Sequence, residues 1–191
     1  MTAPVSITDA VPTRRRVVQA IALAWFAEIG LDLLMNAGLF APFYRWDQPG
    51  LLPPIKMFEY IPLGYAAFLL WSIAFAWLVV RTRSYGLRAG ARLGATLGGL
   101  LGAAAFAGWL SIFAFPPLML FLWAVDHAVL CTTAGAVIGG SLTAERLRPL
   151  VARVCVLVGL CVAVVITMQS LGLAPVNLPK GHIGIGWDPN K

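Results

Sequence analysis

Five runs of apolar residues divide this chain, at 17–40, 58–80, 93–115, 118–142 and 154–173. Each holds about 20 residues or more, which at 1.5 Å rise per residue crosses a hydrocarbon core of roughly 30 Å. Lipid offers no hydrogen-bond partner to a backbone N–H or C=O, so each run must be helical. Composition removes the soluble alternative. Of the 191 residues 60% are hydrophobic and only 12% are charged, with a mean hydropathy of +0.83. The expected fold class is an all-α polytopic membrane bundle of five transmembrane helices.

Basic residues orient the bundle. Arg14, Arg15 and Arg16 precede the first run, Arg81, Arg83, Arg88 and Arg92 separate the second from the third, and Arg146, Arg148 and Arg153 separate the fourth from the fifth. The opposite side carries only Arg45, Lys56, Lys180 and Lys191. Because positive charge stays cytoplasmic, residues 1–16 are expected as a cytoplasmic tail and residues 174–191 as an outer tail. The net charge of +6 then follows from topology, with the lipid bilayer as the partner and no nucleic acid implied. Thr13 and three arginines before an apolar run look a little like a twin-arginine signal, yet the run is too long and carries two acids. It is read as an uncleaved span. Cys131, Cys155 and Cys161 are odd in number, lie inside runs and form no C-x-x-C, so they are expected as buried small hydrophobes.

The apolar runs are interrupted by acids. Glu28, Asp32 and Asn36 follow one another at helical-turn spacing in the first run, and Asp126 with His127 breaks the fourth. A charge near a bilayer centre costs about 2.5–3.5 kcal/mol on insertion scales, so such groups face a partner, a cavity or a permeating species. Counted from the outer ends of their runs, Asp32 and the Asp126–His127 pair fall at one depth, roughly 10–15 Å below the outer boundary. Glu28 is one turn deeper. Three readings compete. A protonated acid can hydrogen-bond His127 or Asn36 and simply tie the first helix to the fourth. Glu28 and Asp32 can act as exchangeable carboxylates opposite Asp126 and His127, as a proton or cation pathway requires. The same groups can be metal ligands, but adjacent residues on a helix point about 100° apart, so Asp126 and His127 do not suit one ion. No metal or other cofactor is expected. No G-x-S-x-G, Walker A or H-E-x-x-H occurs, so the chain is not read as an enzyme. The tryptophans at 25, 71, 77, 109 and 123 are read as interfacial or packing residues rather than a ligand pocket.

Gly86, Gly90, Gly94, Gly98 and Gly102 recur every four residues into the third run, with Gly99 and Gly108 nearby. Residues at i and i+4 share a helix face, so this ladder presents a groove in which another backbone can lie close. Packing against a neighbouring span is the plain expectation; a second copy of the chain, or another membrane protein docking there, is the alternative. Phe115, Pro116 and Pro117 make the third and fourth spans an antiparallel hairpin, whose glycine-rich stretches, the second at Gly135, Gly139 and Gly140, are expected to meet. Residues 41–57 hold four prolines and a glycine and are expected as an irregular outer strap, with Tyr44 and Trp46 as interfacial anchors and Pro62 in the first turns of the next helix. The outer tail around His182 is read as a solvated segment.

The stretch from Gly86 to Gly140, with a glycine-rich helix, a short proline turn and an apolar helix ending in Gly-Ala-Val-Ile-Gly-Gly, resembles small bacterial inner-membrane proteins grouped as domains of unknown function. The resemblance implies a bacterial inner membrane and a compact helical bundle. It brings no function and no site residues. The functional expectation is therefore proton, ion or small-solute movement through the polar site, with a non-catalytic subunit or assembly protein docking through the glycine face as the rival.

Overall fold

The computed structural model describes residues 12–43, 52 and 54–174. Five helices fill it: α1 (Arg14–Leu34), α2 (Pro54–Arg81), α3 (Leu87–Ile112), α4 (Pro117–Thr143) and α5 (Arg148–Ser170). All five are long and apolar enough to cross a membrane, and the described residues contain no strand. The chain is thus a multi-pass membrane protein. The helices outrun their apolar segments at the arginine-rich end, carrying Arg88 and Arg92 inside α3 and Arg148 and Arg153 inside α5. Long basic side chains can keep their charge at the interface while the backbone stays helical.

Two boundaries differ from expectation. The proline-rich strap was expected to reach residue 57, but α2 already begins at Pro54, a first-turn position where the missing N–H costs nothing. Pro62 then lies more than two turns inside α2, which continues through it. The rest of the strap from 44, with Tyr44 and Trp46, and the tail beyond Ala174 with His182 lie outside the described residues. At its far end α1 widens into a π-helical turn, Met35–Leu39, closed by a 2.7 Å bond from the Phe40 N–H to the Met35 carbonyl.

α4 lies at the centre, packed on α3, α1 and α2, while α1 touches α2, α4 and α5. α5 rests mainly on α1 and the π turn. Alternate helices run in opposite senses. Arg16 at the start of α1 donates from Nε to the Ser141 carbonyl at 2.8 Å, and from its guanidinium to the Ala144 carbonyl, at the end of α4. A cation there also complements the negative end of the helix dipole. The sequence reading treated Arg16 only as a marker of orientation. Because α1 begins, α4 ends and α3 begins at this end, the ten arginines gather there.

The glycine ladder is filled from within the chain. Gly90, Gly94, Gly98 and Gly102 are buried, and a Cβ on any of them would collide with α4, meeting backbone of Gly135, Cys131 and Ala124 or, at Gly98, the Cys131 Cβ at 2.6 Å. Gly135 and Gly139 return the contact toward Gly90 and Gly86. Each four-residue step along α3 is met by a step of three or four back along α4, so the seam is in register for its whole length. Gly86 departs from the expected packing role. It caps α3 at φ +91° with open space at its Cβ position, and its N–H donates to the Gly139 carbonyl at 2.9 Å. Gly99 and Gly108 also face open space, so they add nothing to the groove. Outside the seam, Leu63, Leu70, Trp77, Leu100, Ile112, Val156 and Leu160 are exposed, as lipid-facing positions should be.

Two helix ends use the same motif with different residues. At the end of α5 the Leu173 N–H reaches the Met168 carbonyl and Gly172 takes φ +70°. At the end of α2 the Ser84 N–H reaches the Val79 carbonyl, but the left-handed position is filled by Arg83 at φ +53°. A side chain in that conformation costs about 1 kcal/mol.

Three substitutions test this fold by detergent-micelle unfolding. Gly94→Ala should destabilise the bundle by about 1–3 kcal/mol, since two backbones must part to admit one methyl. Gly99→Ala should leave it unchanged or more stable by up to about 1 kcal/mol. Arg83→Gly should raise stability by about 1 kcal/mol. Equal responses at Gly94 and Gly99 would contradict the seam.

Candidate functional site

The stripe of α1 that faces the interior changes character along its length. Ala20, Ala24 and Ala27 are wholly buried, Glu28 is 1% exposed, and Asp32 and Asn36 are half-buried. Four-residue spacing puts Ala20, Ala24, Glu28 and Asp32 on one face. The π turn carries that face onward, because Asn36 Nδ2 still reaches Asp32 Oδ1 at 2.9 Å. π turns inside helices recur at functional positions. This one also turns the Ala37 carbonyl toward α5, where Gln169 Nε2 donates to it at 3.3 Å.

Asn36 joins two carboxylates. Its amide donates to Asp32 Oδ1 and, at 3.2 Å, to Asp126 Oδ2 on α4. Both acceptors are carboxylate oxygens, which orients the amide with its nitrogen toward them. Asp126 is 4% exposed, and its second oxygen, Oδ1, is buried and makes no hydrogen bond. Among the described residues the ion pairs are limited to Lys56 Nζ with Glu59 Oε2, 2.7 Å apart on the exposed end of α2. Tyr65 of α2, half-buried, lies within electrostatic range of Asp32.

Glu28 belongs to a different contact. Its Oε2 accepts from the Ser72 hydroxyl of α2, and both groups are buried. A second tie between the same helices runs from Trp25 Nε1 to the Tyr65 carbonyl at 2.7 Å. The Cys131 thiol of α4, also buried, lies within electrostatic range of both Glu28 and Asp126. Cys161 is buried as expected, whereas Cys155 is exposed on α5.

His127 was grouped with the acids, and the structure turns it away from them. Its Nδ1 lies 2.8 Å from the Trp123 carbonyl, one turn back on α4, and its ring meets Trp109 of α3 edge-on at 5.9 Å. A carbonyl only accepts, so Nδ1 carries the proton and, in the neutral ring, Nε2 keeps its lone pair. The 100° between neighbouring residues explains the split: Asp126 points at α1 and His127 into the α3–α4 seam. There Trp109, Trp123 and Phe115 make further edge-on contacts at 6.0 Å. His127 remains within electrostatic range of Asp32. Among the described residues no three His, Cys, Asp or Glu side chains converge as a metal site would need.

Of the five residues singled out from sequence, Asp32, Asn36 and Asp126 therefore form one hydrogen-bonded unit. Glu28 sits a turn below it and His127 beside it. Ser72 was missed, although its only signal was a lone hydroxyl in an otherwise apolar run. Comparison with family models, with curated proteins and with solved structures finds no match to this chain.

The Glu28–Ser72 bond predicts a measurable coupling. In a double-mutant cycle of Glu28→Ala and Ser72→Ala the interaction energy should be about 0.6–1.7 kcal/mol, the range of interhelical hydrogen bonds in membranes. A coupling near zero would mean that the two side chains do not hold each other.

Proposed function

We propose that this chain is an integral protein of the bacterial inner membrane, N-terminus cytoplasmic and C-terminus outside, that moves protons, with Asp32 and Asp126 as the exchanging carboxyls. The carrying observation is the single Asn36 amide bonded to both aspartates while Asp126 Oδ1 stays buried and unbonded. Two negative charges held by one amide in low dielectric repel strongly. The pair therefore holds a proton in its resting state and releases it when the surroundings change. Asn36 keeps the carboxyls together in either state, because an amide can donate to a carboxylate and to the carbonyl oxygen of a neutral acid alike. Small-solute movement would draw on the same exchange, the solute being the cargo and the proton the driving ion.

A purely structural role for the acids rests on the same bonds, and it makes a different forecast. If the pair only ties α1 to α4, an uncharged replacement that still bonds Asn36 should change nothing but stability. The rival reading of a scaffold docked through the glycine ladder would require α4 to be displaced from Gly90–Gly102, since α4 already occupies that groove.

Asp126→Asn and Asp32→Asn decide between exchange and glue. In proteoliposomes carrying an internal pH dye, an imposed proton gradient should collapse through the native chain. Each variant should fall to the rate of empty liposomes while unfolding within about 1.7 kcal/mol of the native protein. Native rates in both variants, or no flux from the native chain, would sink the proposal.

A further inference from the structure

The interior stripe of α1 is apolar and fully buried at one end and polar and less buried at the other. From the arginine-rich end, Ala20, Ala24 and Ala27 are fully buried against Phe75, Ala76 and Val79 of α2 and Ala134 and Ile138 of α4, each 0–1% exposed. None of these side chains carries a polar atom. The apolar plug occupies the stretch of α1 between Arg16 and Glu28, about 18 Å of helix. At the other end the same face becomes polar and only partly buried at Asp32 and Asn36, where α1 passes into its π turn. Asp126, 4% exposed, presents an unbonded Oδ1 at this level. The protic groups within electrostatic range of the pair are Tyr65 from α2 and His127 and Cys131 from α4.

We propose that in this conformation the carboxyl pair exchanges protons with one compartment only, the one at the π-turn end, and that Glu28 with Ser72 marks the closed end of the path. The inference rests on the proton-exchange reading above and adds its sidedness. A proton reaching Asp32 or Asp126 arrives past Asn36. It can pass inward as far as the Cys131 thiol and Glu28. Beyond Glu28 an apolar layer with no hydrogen-bonding side chain stops it, because a bare charge in such a layer has no partner to replace water. The chain is therefore not an open channel. Transfer to the arginine-rich side requires α1 to shift against α2 and α4, so that the alanine layer parts.

Side-specific thiol modification tests this in right-side-out and inverted membrane vesicles, using a membrane-impermeant methanethiosulfonate carrying a sulfonate. In a chain with all three native cysteines replaced by alanine, Asn36→Cys should react at least tenfold faster from the π-turn side than from the arginine-rich side. Ala24→Cys should react slowly from both. A second chain retains Cys131 and has only Cys155→Ala and Cys161→Ala, so its interior is unaltered; Cys131 should react slowly, and from the π-turn side alone. Reaction of Ala24→Cys or of Cys131 from the arginine-rich side at the rate of Asn36→Cys overturns the proposal, as does equal labelling of Asn36→Cys from both sides. The outcome is separable from the flux assay. Sided labelling without proton flux keeps the one-ended path and removes proton movement. Flux with two-sided labelling does the reverse.

Discussion

The contact between the backbones of α3 and α4 sets the positions on which everything else depends. Four glycines of α3 and two of α4 remove the side chains that would hold the helices apart, and carbonyls of one helix lie against Cα atoms of the other. Dispersion and weak Cα–H···O contacts act over this whole length, in a medium where burial of apolar surface gives helices no reason to associate. A seam this close admits one register. It fixes α4 as the central helix, turns its opposite face toward α1 and so brings Asp126 level with Asn36. It also directs His127 to Trp109, since a residue next to Asp126 must point about 100° away.

On that frame one physical fact governs the polar groups. Inside lipid an unpaired carboxyl is expensive, so each acid is met by a donor: Glu28 by Ser72, Asp32 and Asp126 by Asn36. These bonds join α1 to α2 and to α4 and would suffice as packing devices. Asp126 Oδ1 is what they leave unsatisfied. In the proposed exchange that oxygen is the position at which a proton arrives. The π turn belongs to the same economy. It widens α1 where the stripe opens and is steadied from α5 by Gln169.

Much of the fold was legible before any coordinates. Apolar run length, the arginine pattern and the glycine spacing translate directly into spans, a common end and a close helix pair, because bilayer thickness and helical rise impose one scale on them all. Depth counting along the first and fourth runs likewise brought Asp32 and Asp126 to one level. The boundaries moved where side-chain chemistry competes with hydropathy: arginines extended α3 and α5, and Pro54 opened α2 inside the expected strap.

What depth counting could not supply was rotation about each helix axis. Hydropathy in a nearly all-apolar helix shows no polar face from which to read it, so His127 and Glu28 were grouped with the pair although one turns into an aromatic seam and the other toward Ser72. The role of the glycines divided for the same reason, with Gly90–Gly102 facing α4, Gly99 and Gly108 facing outward, and Gly86 needed for its φ. The sequence by itself determined five spanning helices, their alternation and the shared level of Asp32 and Asp126, since these follow from length and spacing along one dimension. Only the tertiary structure decided which acids share the Asn36 amide, which Asp126 oxygen is left without a partner and which end of the α1 stripe is wholly apolar, because those depend on how helices are rotated and packed against one another.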